Sequence, residues 1–171
     1  MMNKKLLIMA TTILAAVSLT ACSSSNNDTQ GGTKVTKSSK KKAQPKIKFY
    51  KKGDTVKVGK VEYTLKSAAK TSERNEFEDS KPKHVIKIVY HVKNDSKKDL
   101  PIGGDVDAYG PDNSKLKDYP VNDTTLDSIA PGKEADVITG FGTKKLGSFE
   151  LHFKPLTDFD SKSAKFKVNI K

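Results

Sequence analysis

A chain of 171 residues with 32 basic and 20 acidic side chains carries a formal charge of +12, has one cysteine, and lacks tryptophan. That length leaves room for one domain with a modest core, and a lone cysteine excludes an internal disulfide framework. The charge invites a nucleic-acid reading, yet Arg74 is the only arginine, and lysines lack the bidentate fork used for specific base contacts, so nucleic acid is not an expected partner.

The first 21 residues read as an export signal. Lys4 and Lys5 precede an apolar stretch over residues 6–17, and Ser18, Leu19, Thr20 and Ala21 follow. This is the layout of a secretory signal peptide, and the uncharged run is short for the roughly 20 residues a spanning helix needs. Leu19 stands where an ordinary cleavage site wants a small residue. Leu19-Thr20-Ala21-Cys22 instead resembles the lipobox of bacterial lipoproteins. The resemblance implies a diacylglycerol on the Cys22 sulfur, cleavage before Cys22 and acylation of the new amino group. Such a lipid caps a thiol that would otherwise be a liability outside the cell, and at about 0.8 kcal/mol per buried CH₂ two acyl chains hold firmly. Cys22 is therefore expected to be an anchor at the extracytoplasmic face of the cell membrane.

Residues 23–46 are dominated by Ser, Asn, Gly and Lys, with Val35 the one large aliphatic residue. Such a composition cannot bury enough apolar surface to offset the entropy of ordering, so a disordered tether is expected, with a reach on the order of 25–30 Å. Lys34, Lys37, Lys40, Lys41, Lys42 and Lys46 face only Asp28 within it. Lysines beside a lipid anchor attract anionic headgroups by about 1 kcal/mol each; anionic wall polymers are the other candidate partner.

From Ile47 onward the apolar period is two. Ile86, Ile88, Tyr90 and Val92 alternate with Lys87, His91 and Lys93, while Val85 and Val89 fall on the lysine side. Phe149, Leu151 and Phe153 alternate with Glu150 and His152, and Ala164, Phe166, Val168 and Ile170 form a third set. These read as half-buried antiparallel strands. Val56 and Val58 are out of phase with Val61, Tyr63 and Leu65, which a two-residue Gly59-Lys60 turn of type II′ explains. Gly110, Pro111, Asp112 and Asn113 mark a turn between short strands, and Pro131-Gly132-Lys133 opens another strand. Short strands at this spacing predict an all-β antiparallel sandwich over residues 47–171.

A strand ending "VYHVKNDSKKDLPI" and a later "APGKEADVITGF" are similar to those of an uncharacterised immunoglobulin-like domain of Gram-positive lipoproteins and secreted proteins. The resemblance spans residues 53–171 and implies an immunoglobulin-like fold and an extracytoplasmic address. It brings no catalytic residues.

The residues themselves point the same way. His84 and His91 are seven apart on one strand and so face opposite sides, His152 is on another, and the three lack metal-ligand spacing. Asp105 and Asp107 are expected to share a strand face, with Asp112 and Asp118 beyond, but the segment lacks the ligand order and glycine of a calcium loop. No Gly-x-Ser-x-Gly and no cysteine supply a nucleophile in the domain. No cofactor and no catalytic residue are expected. Glu73, Glu76, Glu78 and Asp79 lie in an acidic loop that is a candidate recognition surface, because loops on a rigid sandwich commonly carry binding. The reading is an anchored, non-catalytic binding or adaptor module with an unidentified protein partner. The alternative is an accessory or hydrolytic enzyme of the cell envelope.

Overall fold

The computed structural model describes residues 47–171; the signal segment, Cys22 and the lysine-rich stretch through Lys46 lie outside the described residues. The strands are β1 (Thr55–Val58), β2 (Val61–Thr71), β3 (His84–Asn94), β4 (Leu100–Ile102), β5 (Val106–Tyr109), β6 (Lys117–Asp118), β7 (Asp127–Ile129), β8 (Glu134–Thr143), β9 (Gly147–Phe153) and β10 (Ala164–Ile170). A five-stranded sheet, β1-β2-β3-β8-β6, packs on a three-stranded sheet, β10-β9-β5, and β4 pairs with β7 in a small third sheet. All strand pairs are antiparallel. Residues 47–171 form an all-β, immunoglobulin-like antiparallel sandwich.

The period-two pattern sets which faces meet. Ile86, Ile88 and Tyr90 sit opposite Phe141, Thr139 and Val137 in β8, and residues directly opposite one another share a sheet face. All six are buried. Phe149, Leu151 and Phe153 of β9 and Phe166 of β10 fill the other side, each 0 % exposed, whereas Val168 is only half-buried. Phe153 stacks edge-on with Tyr90 at 5.0 Å and with Phe166 at 5.2 Å, the arrangement that aromatic quadrupoles favour. Burial of each such side chain contributes roughly 1.5–3 kcal/mol. Among the described residues the core is one main cluster with a smaller one around Val85.

The expected hairpin is present. Val58 pairs with Val61, and Gly59 has φ +59 while Lys60 stays out of the left-handed region, as a type II′ turn requires. Val85 lies on the lysine side of β3 as expected, yet it is fully buried, because residues 119–121 fold over that face and Tyr119, Val121 and Ile138 enclose it. Gly140 makes this possible: a Cβ there would sit 2.6 Å from the Tyr119 carbonyl oxygen.

Strand directions give the sandwich two distinct ends. Tyr50 forms a parallel bridge with Phe166, donating to the Lys165 carbonyl at 2.8 Å and accepting from the Lys167 amide at 3.0 Å. The chain therefore joins the sandwich where β10 begins. This near end also carries the Gly59-Lys60 turn, residues 95–99, the turn before β8 and the β9–β10 loop. The far end carries the β2–β3 loop, the turn after β5 and the β8–β9 turn.

Candidate functional site

The far end holds a cleft of about 650 Å³, lined by segments 80–83, 111–119 and 142–145. Its position follows from two close packings. Pro82 lies on Gly142, where a Cβ would come within 2.9 Å of the proline Cβ, and Pro111 lies on Gly147, whose φ is +139. Each lysine-bearing segment is fixed next to its own turn. The Thr143 hydroxyl donates to the Lys145 carbonyl at 2.9 Å and accepts the Lys145 amide at 3.3 Å. Asp112 accepts the Ser114 amide at 3.1 Å, and Asn113 adopts φ 62, a conformation asparagine tolerates better than most residues. The β2–β3 loop is stitched down by Glu73, which accepts from Lys87 Nζ at 2.9 Å and the Asn122 amide at 2.8 Å, and by the Asn75 amide, which donates to the Tyr119 hydroxyl at 2.8 Å.

Three pairs of lysines converge on this cleft: Lys81 and Lys83, Lys115 and Lys117, Lys144 and Lys145. All six are exposed. Lys115 is paired with Asp107 at 2.6 Å; among the described residues the other five have no carboxylate within ion-pair distance. Elsewhere Lys57 and Lys93 are paired with Asp95, Lys66 with Asp136 and Lys87 with Glu73, while lysines such as Lys70 and Lys165 also lack a carboxylate partner among the described residues, so what sets the cleft apart is convergence. Asp112 and Asp118 also line the cleft, leaving its balance positive. The Ser114 amide holds the Asp112 carboxyl below the usual carboxylate range, and Lys145 adds to that effect. Between the lysines the wall is carbon, from Pro82, Pro111, Leu116 and Tyr119. This arrangement offers positive charge over an apolar floor, which is suited to holding an anion.

The acidic loop divides. Glu73 is structural, Glu78 is half-buried, and Glu76 and Asp79 are exposed beside Phe77, which is 97 % exposed. The histidines do not meet. His91 Nδ1 lies 2.7 Å from Asp136 on the outer face of the five-stranded sheet, and His152 Nε2 lies 3.2 Å from Glu150 on the outer face of the other. His84 is half-buried at the start of β3. Among the described residues no group of three His, Cys, Asp or Glu is placed to hold a metal ion.

The expectation that Asp105 and Asp107 share a face is wrong. Gly103, at φ +99, bends the chain just before β5 and resets the alternation, so Asp105 turns inward and is 2 % exposed while Asp107 points out to Lys115. Asp105 Oδ1 accepts from the Tyr90 hydroxyl and, at 3.1 Å, from the Gly103 amide. Burial pushes this carboxyl above its usual range, against the pull of the Tyr90 bond. Burial, then the Asp105 charge, pushes the Tyr63 and Tyr90 hydroxyls up. Asp105 Oδ2 and the Tyr63 hydroxyl are buried without a hydrogen-bond partner. A smaller groove of about 240 Å³ beside Asp105 includes Leu156 and Phe159; its Lys154 is committed to the Phe159 carbonyl at 3.0 Å.

Sequence reasoning missed the cleft. Its signal was three lysine pairs, each beside a turn, in "SKPKH", "SKLKD" and "TKKL"; only the strand order brings them together.

No protein-family model matches the chain, and no curated protein matches it. Solved structures do. The chain is similar to ycdA of Bacillus subtilis, which carries a lipoprotein designation, at 22 % identity and TM-score 0.58 over 67 % of this chain; it spans 38 % of the length of that protein. It is similar to yjhA of Bacillus subtilis at 14 % identity and TM-score 0.55, over 72 % of this chain and 100 % of that one. It is also similar to the secreted Mycobacterium tuberculosis protein MPT63 at 11 % identity and TM-score 0.53, over 74 % and 99 %. At these identities the likeness is one of fold.

Proposed function

We propose that this chain is a lipid-anchored lipoprotein of the extracytoplasmic membrane face, whose β-sandwich is a non-catalytic binding module. The observation that carries the binding reading is the cleft: five exposed lysines without carboxylate partners among the described residues, gathered from two loops and strand β6. These charges converge on one cleft, which makes them available together to a single ligand. The anchor reading rests on Leu19-Thr20-Ala21-Cys22, and the lysines from Lys34 to Lys46 supply a second contact with anionic headgroups or wall polymer. The location of the domain outside the cytoplasm agrees with fold relatives that are a lipoprotein by designation and a secreted protein.

Two measurements test this. Cells expressing the chain and supplied with an alkyne fatty acid should yield a labelled, detergent-partitioning protein, and Cys22→Ala should abolish both properties. Release of unlabelled wild type would remove the anchor. The purified protein should show no turnover on peptide, ester, glycan or phosphate substrates; turnover lost on changing His84, His91 or His152 to Ala would make it an enzyme.

A further inference from the structure

We infer that the far-end cleft binds a linear phosphodiester polymer whose phosphates are spaced by short polyol or sugar units. This deepens the binding reading above by naming the ligand class. Size is the first ground. About 650 Å³ falls within the roughly 300–1,000 Å³ typical of ligand sites, whereas a single phosphate displaces only a few waters at about 30 Å³ each. The cleft accommodates a segment of chain rather than one ion.

Charge type is the second ground. The five cations without carboxylate partners are all lysines, and an ammonium group meets a phosphate as a point charge that asks for no fixed approach, whereas arginine's planar fork fits carboxylate or phosphate in one plane. They are presented from two loops and strand β6, so the positive charge is spread along the cleft and not focused at one point. The third ground is what lies between them. Pro82, Pro111 and Leu116 give carbon surface, and Asp112 and Asp118 interrupt the positive rim. A ligand of unbroken charge would meet those carboxylates and leave the carbon uncovered; alternating phosphates and carbon units match both.

Two competing polyanions fit less well. A single-stranded nucleic acid would use aromatic stacking platforms for its bases, but the only aromatic side chain lining the cleft is Tyr119, which is 1 % exposed. Headgroups of a bilayer offer their phosphates in one plane, which meets the exposed lysines of the rim and leaves the half-buried Pro82 and Leu116 between them uncovered.

The test uses residues Gln44–Lys171, a compact unit that contains the core described above. It omits Cys22 and the lysines up to Lys42, so failure here leaves the anchor reading untouched, and failure of fatty-acid labelling leaves this inference untouched. The probe is a fluorescent glycerol-phosphate oligomer of about ten units, followed by anisotropy across salt concentrations. Saturable, salt-sensitive binding is expected. Lys81→Gln/Lys83→Gln and Lys144→Gln/Lys145→Gln should each weaken it by about tenfold and lower the slope of log affinity against log salt by about 1 to 2. Lys97→Gln/Lys133→Gln, exposed at the near end, should change affinity less than about twofold; melting temperatures confirm that all three variants are folded.

The assignment is overturned if the near-end pair costs as much as the cleft pairs. It is equally overturned if oligothymidylate, polyglutamate or phosphatidylglycerol vesicles bind as tightly at matched charge, or if inorganic phosphate competes equally per phosphate group.

Discussion

The two ends of the sandwich spend their polar groups in opposite ways. At the near end Asn94 is fully buried, and every hydrogen-bonding group of its amide is used. Nδ2 donates to the carbonyls of Lys98 and Ile129, both at 2.8 Å, and Oδ1 accepts the Ser96 amide at 2.9 Å. Its backbone accepts from Gly132 at 2.8 Å and donates to Lys133 at 2.9 Å. One residue thereby joins the end of β3, the following turn and β7 through its side chain, and the turn before β8 through its backbone. At the far end five of the six cleft lysines are exposed without a carboxylate partner among the described residues. Buried polar groups that are fully bonded belong to the scaffold; charge left over after folding is what a partner can use.

The comparison is broken most directly at Asn94. Asn94→Ala strands buried carbonyls and an amide, each costing about 1–3 kcal/mol, and should lower stability by about 3 kcal/mol in denaturant unfolding. Binding per folded molecule at the far end should not change. A loss of affinity equal to the loss of stability would mean the two ends are not separate.

Asp105 gives the next largest effect, and its sign is set by burial. The folded chain holds this proton more tightly than the unfolded chain does, because burial raises the carboxyl. Its ionisation therefore weakens the fold at neutral pH, and that cost is relieved as pH falls through the raised value toward the ordinary one. Asp105→Asn keeps an acceptor for Tyr90 and Gly103 and brings a donor toward the unpartnered Tyr63 hydroxyl. It should be neutral or up to about 2 kcal/mol stabilising at pH 7, with a flatter acid profile, whereas Asp105→Ala should cost about 1–3 kcal/mol. Melting curves from pH 4 to 8 check both, in the range about ordinary carboxylate values.

What could be read in advance was whatever repeats locally. The alternation in β3, β9 and β10 and the Gly59-Lys60 turn are properties of neighbouring residues, so the two faces of the core and one register were visible from them. Val85 lies on the face its alternation gives, but its burial was not legible because a segment from elsewhere covers it; Asp105 is misplaced by alternation because a bend at Gly103 rotates it. Lys81, Lys117 and Lys144 look like ordinary solvated lysines until the order β2-β3-β8-β6 places their loops together. The acidic loop attracted attention by composition, although Glu73 turns out to be consumed by Lys87 and Asn122.

Glu73 tests whether the far end also contains scaffold. The bond from Lys87, with help from Asn122, holds its carboxyl below the usual range. That contribution is present above the ordinary carboxylate value and is lost as pH falls through the depressed one, opposite in sign to Asp105. Glu73→Gln should cost about 1 kcal/mol at pH 7 and speed amide exchange in the β2–β3 loop. Exchange unchanged there would mean the loop is held by Asn75 and Tyr119 alone.

The smallest effect separates the ends by its sign. Removing a lysine that has a partner removes an attraction, so Lys57→Gln at the near end, which loses Asp95 at 2.6 Å and Glu62 at 3.5 Å, should lower the melting temperature slightly. Lys144→Gln/Lys145→Gln removes cations whose neighbours in the cleft are mostly other cations, so it should raise the melting temperature slightly at low salt. Both shifts arise between exposed charges and should shrink together as salt rises and the Debye length falls from about 30 Å at 0.01 M to about 3 Å at 1 M. If the cleft lysines behave like Lys57, they are balanced by carboxylates after all, and the surplus of charge on which the binding reading rests is absent.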